Sequence, residues 1–260
     1  MSVASVPLLL RQRVVLSIAL FVMIGLSWAY LVWMAADMAV SAGGEIAHCA
    51  AMPGMTSSSA AYVWWLFVMW AVMAVAMMLP TSLPLVFLFG RYTRAKNPEK
   101  DPVPATLALV GGYLVAWFAY GLAAALLQWG LEHLEVVTPV MGELRSPAIG
   151  GAVIAGAGIF QLTPAKTACL SKCRTPTMFF NTRWRDGKRG AFIMGFDDGL
   201  YCIGCCWAMM LVMFVAGVMN LFWMGALTVF MLAEKIVPRG LLFARATGVA
   251  LIAAGVWRML

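Results

Sequence analysis

The stretch WWLFVMWAVMAVAMMLPTSLPLVFLF, residues 64–89, carries no charged side chain. An apolar run of about 18 residues or more is long enough, at 1.5 Å per residue, to match the hydrocarbon thickness of a bilayer. Pro80 and Pro84 interrupt it. A proline inside a helix removes one N–H and frees a backbone carbonyl, which a membrane helix tolerates only where protein or a cavity supplies a partner. The stretch therefore predicts a kinked membrane helix whose middle faces protein.

The same pattern recurs on both sides. Upstream, about Val14 to Ala35 is apolar and follows Arg11 and Arg13; it is longer than the apolar core of a signal peptide and reads as a retained anchor with its N-terminus inside. Residues 41–59 form a polar loop almost free of positive charge, which belongs outside. Downstream, Arg91, Arg94, Lys96 and Lys100 mark an inner loop. A third span, about Pro104 to Trp129, leads to an acidic loop with Glu132, His133, Glu135 and Glu143, and a Gly- and Ala-rich fourth span covers about Ala148 to Leu162. Small residues of that kind let helices approach closely. Lys166, Lys172, Arg174, Arg183, Arg185, Lys188 and Arg189 then give the densest basic connection, and basic loops stay inside. Further spans are expected at Gly190 to Val218, at Leu221 to Leu232 with Glu234, Lys235 and Arg239 closing it at the inner face, and at Leu241 to Trp257.

The reading is an all-α, polytopic transmembrane helix bundle of about seven spans, N-terminus inside and C-terminus outside. Residues 1–63 make an anchor helix and outer loop, and residues 64–260 a cysteine-containing transmembrane domain. Composition agrees. Of 260 residues, 63% are hydrophobic and 11% charged, where soluble domains are near half apolar and a quarter charged. Spans of this length leave no room for a separate soluble catalytic domain. The net charge of +7 is explained by loops beside apolar segments, so no nucleic-acid partner is expected. No inverted repeat of the kind found in many secondary transporters is visible. Phosphate-binding glycine loops, zinc-protease helices and serine triads are absent, so an enzyme is the weaker expectation.

Chemistry concentrates in Asp198-Gly-Leu-Tyr-Cys202-Ile-Gly-Cys205-Cys206-Trp-Ala-Met209-Met210-Leu-Val-Met213. Residues three and four apart share a helix face, so Asp198, Cys202, Cys205 or Cys206, Met209 and Met213 form one stripe. Thiolates and thioethers suit a soft cation, Cu(I) above all. Cysteine and methionine also serve as plain apolar filler, but three cysteines within five residues behind two carboxylates, Asp197 and Asp198, argue for a site, since intramembrane carboxylates are costly. The same carboxylates have a simpler use, pairing with the loop arginines. Cys169 and Cys173 stand four apart in the basic loop, where reducing conditions would keep them free. Four of these cysteines would also satisfy tetrahedral zinc, and spacing does not separate zinc from copper. The outer loop adds His48, Cys49, Met52 and Met55, a set suited to collecting copper. Met69, Met73 and Met77, with Met78 beside them, form a thioether stripe between the two, although such a stripe is equally ordinary packing.

These residues carry a resemblance. Trp70, Ala76-Met-Met-Leu-Pro80, Phe160-Gln-Leu-Thr-Pro164 with Lys166, Cys169 and Cys173-Arg-Thr-Pro176, Trp184-Arg-Asp-Gly187, Gly199-Leu-Tyr-Cys-Ile-Gly-Cys-Cys-Trp207, Gly217-Val-Met-Asn220 and Glu234-Lys235 follow one another in the order seen in the bacterial family of predicted metal-binding integral membrane proteins. The chain resembles that family over about residues 64 to 257. The resemblance implies a metal site at Cys169, Cys173, Cys202, Cys205 and Cys206, a place in the bacterial inner membrane, and a second membrane or periplasmic protein as partner. Where the family commonly has a histidine before the Gly-Leu-Tyr-Cys motif, this chain has Asp198. The expected function is binding of Cu(I), with zinc as alternative, for transport, delivery or homeostasis through a Cys/Met-lined site. The competing expectations are an accessory subunit of a membrane complex, self-associated or not, and a membrane thiol-disulfide oxidoreductase.

Overall fold

A computed structural model describes residues 5–42, 60–96, 101–139 and 141–260, with side chains described from residue 14 to 36 in the first of these stretches. Every regular element in them is helical: α1 (Ser5–Ala42), α2 (Ala60–Lys96), α3 (Val103–His133), α4 (Pro147–Leu162), α5 (Pro164–Arg174), α6 (Pro176–Arg183), α7 (Gly187–Leu211), α8 (Met213–Ala216), α9 (Leu221–Ile236) and α10 (Gly240–Met259). Five stretches are long and apolar enough to cross a membrane, namely Val14–Ala36, Ala60–Lys96, Val103–His133, Gly187–Ala216 and Gly240–Met259, and a sixth crossing arises if α4 and α5 act as one broken span. The expected sixth span, α9, has only 16 residues, about 24 Å at 1.5 Å per residue.

The two prolines of α2 stay inside one continuous helix, and the carbonyl that Pro80 releases finds a donor on another helix. Pro80 cannot donate to Ala76, and the indole of Trp28 on α1 donates to the Ala76 carbonyl instead at 3.0 Å. Thr81 and Ser82 donate their hydroxyls to Met78 and Leu79 carbonyls at 2.8 and 2.9 Å. α1, which exposes Val14, Phe21, Leu26 and Trp33, is thus tied to the bundle by a specific bond.

The break between α4 and α5 also has a local cause. Pro164 bars its predecessor from helical geometry, so Thr163 takes φ −74° and ψ 153°, ends α4, and its hydroxyl accepts the Lys166 N–H to cap α5. The two helices meet at 65°. That bend folds α5 back against α7 instead of letting it run on into the basic connection.

Two glycine contacts set the tightest helix pairs. On α7 a Cβ at Gly195 would collide with the Leu109 carbonyl of α3, and a Cβ at Gly158 on α4 would lie 2.6 Å from the Gly248 carbonyl of α10. The resulting core has two parts. One, at the end where α2 finishes and α7 begins, is built from Leu79, Phe89, Leu109, Phe180 and Met194. The other holds Met69, Met73, Met77, Met78, Met209 and Met213 together with Cys202, Cys205 and Cys206. The first end carries most of the basic residues, with Lys96 standing 4.4 Å over the Trp184 ring; Glu132, Glu135 and Glu143 lie at the other, with Arg145 and Arg258.

Candidate metal centre

Helix α7 places its thiols as its periodicity requires. Cys202, Cys205 and Cys206 are all at most 1% exposed, and Asp198, Met209 and Met213 on the same stripe are buried with them. The Sγ atoms of Cys205 and Cys206 are 3.4 Å apart, well beyond a disulfide's roughly 2.05 Å. The Cys205 thiol also donates to the Cys202 carbonyl at 3.1 Å. From α5, Cys173 packs against the same core as a near neighbour of Cys205. Two helices therefore bring four thiols into one neighbourhood.

Cys169 is brought to the same helix, α7. Its sulfur sits over Gly204, 2.8 Å from where a Cβ would be. Met77, on α2, is fully buried in the core that contains the cysteines. His48, Cys49, Met52 and Met55 lie outside the described residues. Among the described residues no three His, Cys, Asp or Glu side chains are already gathered in metal-binding geometry. The neighbouring thiols are still the donor set a soft ion takes, and each cysteine has a single side-chain torsion to turn through staggered wells.

The pair Asp197 and Asp198 splits between the two uses anticipated for it. Asp197 makes the surface pairing, 3.4 Å from Arg183. Asp198 turns inward, 6% exposed, and lines a cleft with Cys173 and Lys235.

Several residues at the centre were read from sequence only as loop or boundary charges, or not at all. Lys235, at the end of α9, donates to Cys202 Sγ at 3.0 Å and to Thr81 Oγ1 at 2.7 Å. The Tyr113 hydroxyl of α3 lies 3.2 Å from the same sulfur and donates to the Met78 carbonyl at 3.0 Å. Glu234 and Lys166, both 1% exposed, form an ion pair at 2.7 Å. Lys166 also donates to the Cys205 carbonyl at 2.8 Å, and Gln161 donates to the other oxygen of Glu234 at 2.8 Å. Arg174 caps the end of α9 through the carbonyls of Glu234, Val237 and Pro238. The signal available was the apolar frame around Glu234-Lys235 and the Thr163-Pro164 break that turns Lys166 inward.

A second buried polar chain lies at the opposite end. Tyr62 donates to Glu132 at 2.7 Å, Gln128 donates to the same carboxylate at 2.9 Å, and the Trp70 indole donates to Gln128 at 2.9 Å. His133 remains at the surface on Trp129, its ring centroid 4.6 Å away.

The class defined by these features is an all-helical protein with long apolar helices and a buried cluster of free thiols faced by a lysine. The model of the family PpoB2, described as copper chaperone, matches residues 67–258, and the chain belongs to that family. This match covers nearly the same stretch as the resemblance read from the motifs and gives it a copper-related description. Neither the curated proteins nor the solved structures give a match.

Proposed function

We propose that this chain is a membrane-embedded Cu(I) chaperone, which holds the ion with the thiols of Cys173, Cys202, Cys205 and Cys206 and hands it to a second membrane or periplasmic protein. The observation that carries the reading is the convergence of four thiols from α5 and α7 at the apolar core, with Cys202, Cys205 and Cys206 within it and Cys173 packed against it. Soft thiolate ligands favour Cu(I) over hard cations, and the family's description as copper chaperone supports the choice of cargo. Copper here is what the protein carries, so the site has to release it as well as bind it.

Long apolar helices and the separation of basic and acidic ends support a place in the bacterial inner membrane, with the basic end inside. In that topology the short α4 and α9 cross as well, giving seven spans with the N-terminus inside and the C-terminus outside. Helices of 16 residues fit if the bilayer thins locally or flanking charges reach the interface. Cys169, whose sulfur is seated on Gly204 of α7, stands outside this set of four.

The test is anaerobic competition for Cu(I) between the purified full chain and a chromogenic chelator. The parent and Cys169→Ser are expected to take up the ion. The double variant Cys202→Ser, Cys205→Ser is expected to lose it. Equal uptake by the double variant removes the cysteine cluster from the account.

A further inference from the structure

Three of the four thiols, those of Cys202, Cys205 and Cys206, lie in the core, so an ion needs a way in. A cleft of about 240 Å³ opens between α2, α5, α7 and α9 and is lined by Thr81, Ser82, Cys173, Asp198, Lys235 and Ile236, among others. It is on the same side as the basic connection, beside the α5–α6 junction at Pro176. One cluster thiol, Cys173, is already part of its wall and is only half-buried. Cys202 is not, and the ammonium of Lys235 stands between, holding Thr81 on the cleft side and the Cys202 sulfur behind it.

We propose that this cleft is the port through which Cu(I) enters and leaves the cluster at the basic end, and that Lys235 is its gate. Two cations cannot share the face of one thiolate, so an arriving ion displaces the ammonium. Asp198, in the same wall, offers the displaced charge a partner of opposite sign. The exchange is of one positive charge for another and involves no bond to carbon and no redox step. Cys173, first met from the cleft, passes the ion inward to its neighbour Cys205.

The port rests on the Cu(I) reading above, and its test separates the two. Ile236 stands at the rim, 57% exposed, so Ile236→Trp narrows the mouth without touching the core. In the metal-free full chain, a bulky water-soluble alkylating reagent followed by mass spectrometry is expected to label Cys173 ahead of Cys205 and Cys206, and Ile236→Trp to slow that labelling. With Cu(I) supplied on a chelator, Ile236→Trp is expected to reach the parent's final uptake but roughly tenfold more slowly, the factor for about 1.4 kcal/mol added to a barrier. Lys235→Ala is expected to load faster than the parent. Unchanged labelling of Cys173 in Ile236→Trp overturns the port whether or not the chain binds copper. Unchanged loading in Lys235→Ala, with full final uptake, overturns the gate. Failure of the parent to take up copper while Ile236→Trp still protects Cys173 overturns the copper reading and keeps the cleft as the way to the thiols.

Discussion

Removing one member of the Lys166–Glu234 pair is the most demanding test of the fold around the cysteines. The ions are 2.7 Å apart and 1% exposed. At an effective dielectric of about 20 their attraction is about 6 kcal/mol, while each costs several kcal/mol to take out of water. The pair is therefore close to break-even, and its two charges are not. Lys166→Met leaves Glu234 with only the Gln161 amide, and Glu234→Leu leaves Lys166 with only the Cys205 carbonyl. Each single variant is expected to lose about 3–5 kcal/mol, the usual cost of stranding one buried charge. The double variant Lys166→Met, Glu234→Leu is expected to recover most of that loss, because no charge is left without a partner. Reversible unfolding in mixed micelles titrated with a denaturing detergent gives all four corners of the cycle. Single variants as stable as the parent, or a double variant as poor as the two losses added, would refute the reasoning. The cost falls on the metal centre too, since Lys166 holds the carbonyl of Cys205.

Three further substitutions probe the helix contacts. Gly195→Ala places a methyl against the Leu109 carbonyl and is expected to cost about 1–3 kcal/mol by overpacking; in the same unfolding assay Gly111→Ala, whose Cβ meets nothing within 4 Å, is expected to be neutral. Trp28→Phe keeps an aromatic ring but strands the Ala76 carbonyl, with an expected loss of about 1–3 kcal/mol, read as earlier release of α1 to proteolysis; no change would mean that the Pro80 kink does not depend on α1.

What the sequence could reveal depended on whether one segment sufficed. Residues 64–89 carry their own evidence of a long kinked helix, and α2 runs from Ala60 to Lys96 through both prolines. The cysteines of α7 share a stripe because a helix imposes that spacing, and they are buried as the pattern implies. Lys166 and Lys235 were less legible. A lysine near a span end reads as a loop charge, and only the packing of α5 and α9 against α7 shows that one reaches a carbonyl and the other a thiol. The extent of each short helix is equally a tertiary matter: α4 stops at Thr163 for a local reason, but α9 ends where Val237 and Pro238 turn and Arg174, from another helix, covers the last carbonyls. Cys169 and Cys173 look equivalent in sequence; the structure seats Cys169 on Gly204 and puts Cys173 in the wall of the cleft with Lys235.

The central claim is that Cu(I) is held by thiols of α5 and α7. Copper X-ray absorption on the anaerobically loaded full chain tests it most directly, together with the same measurement on Cys202→Ser, Cys205→Ser. The account predicts a first shell of sulfur alone in the parent and loss of bound copper in the double variant. A first shell of nitrogen or oxygen, or sulfur-bound copper that survives the double substitution, would contradict it.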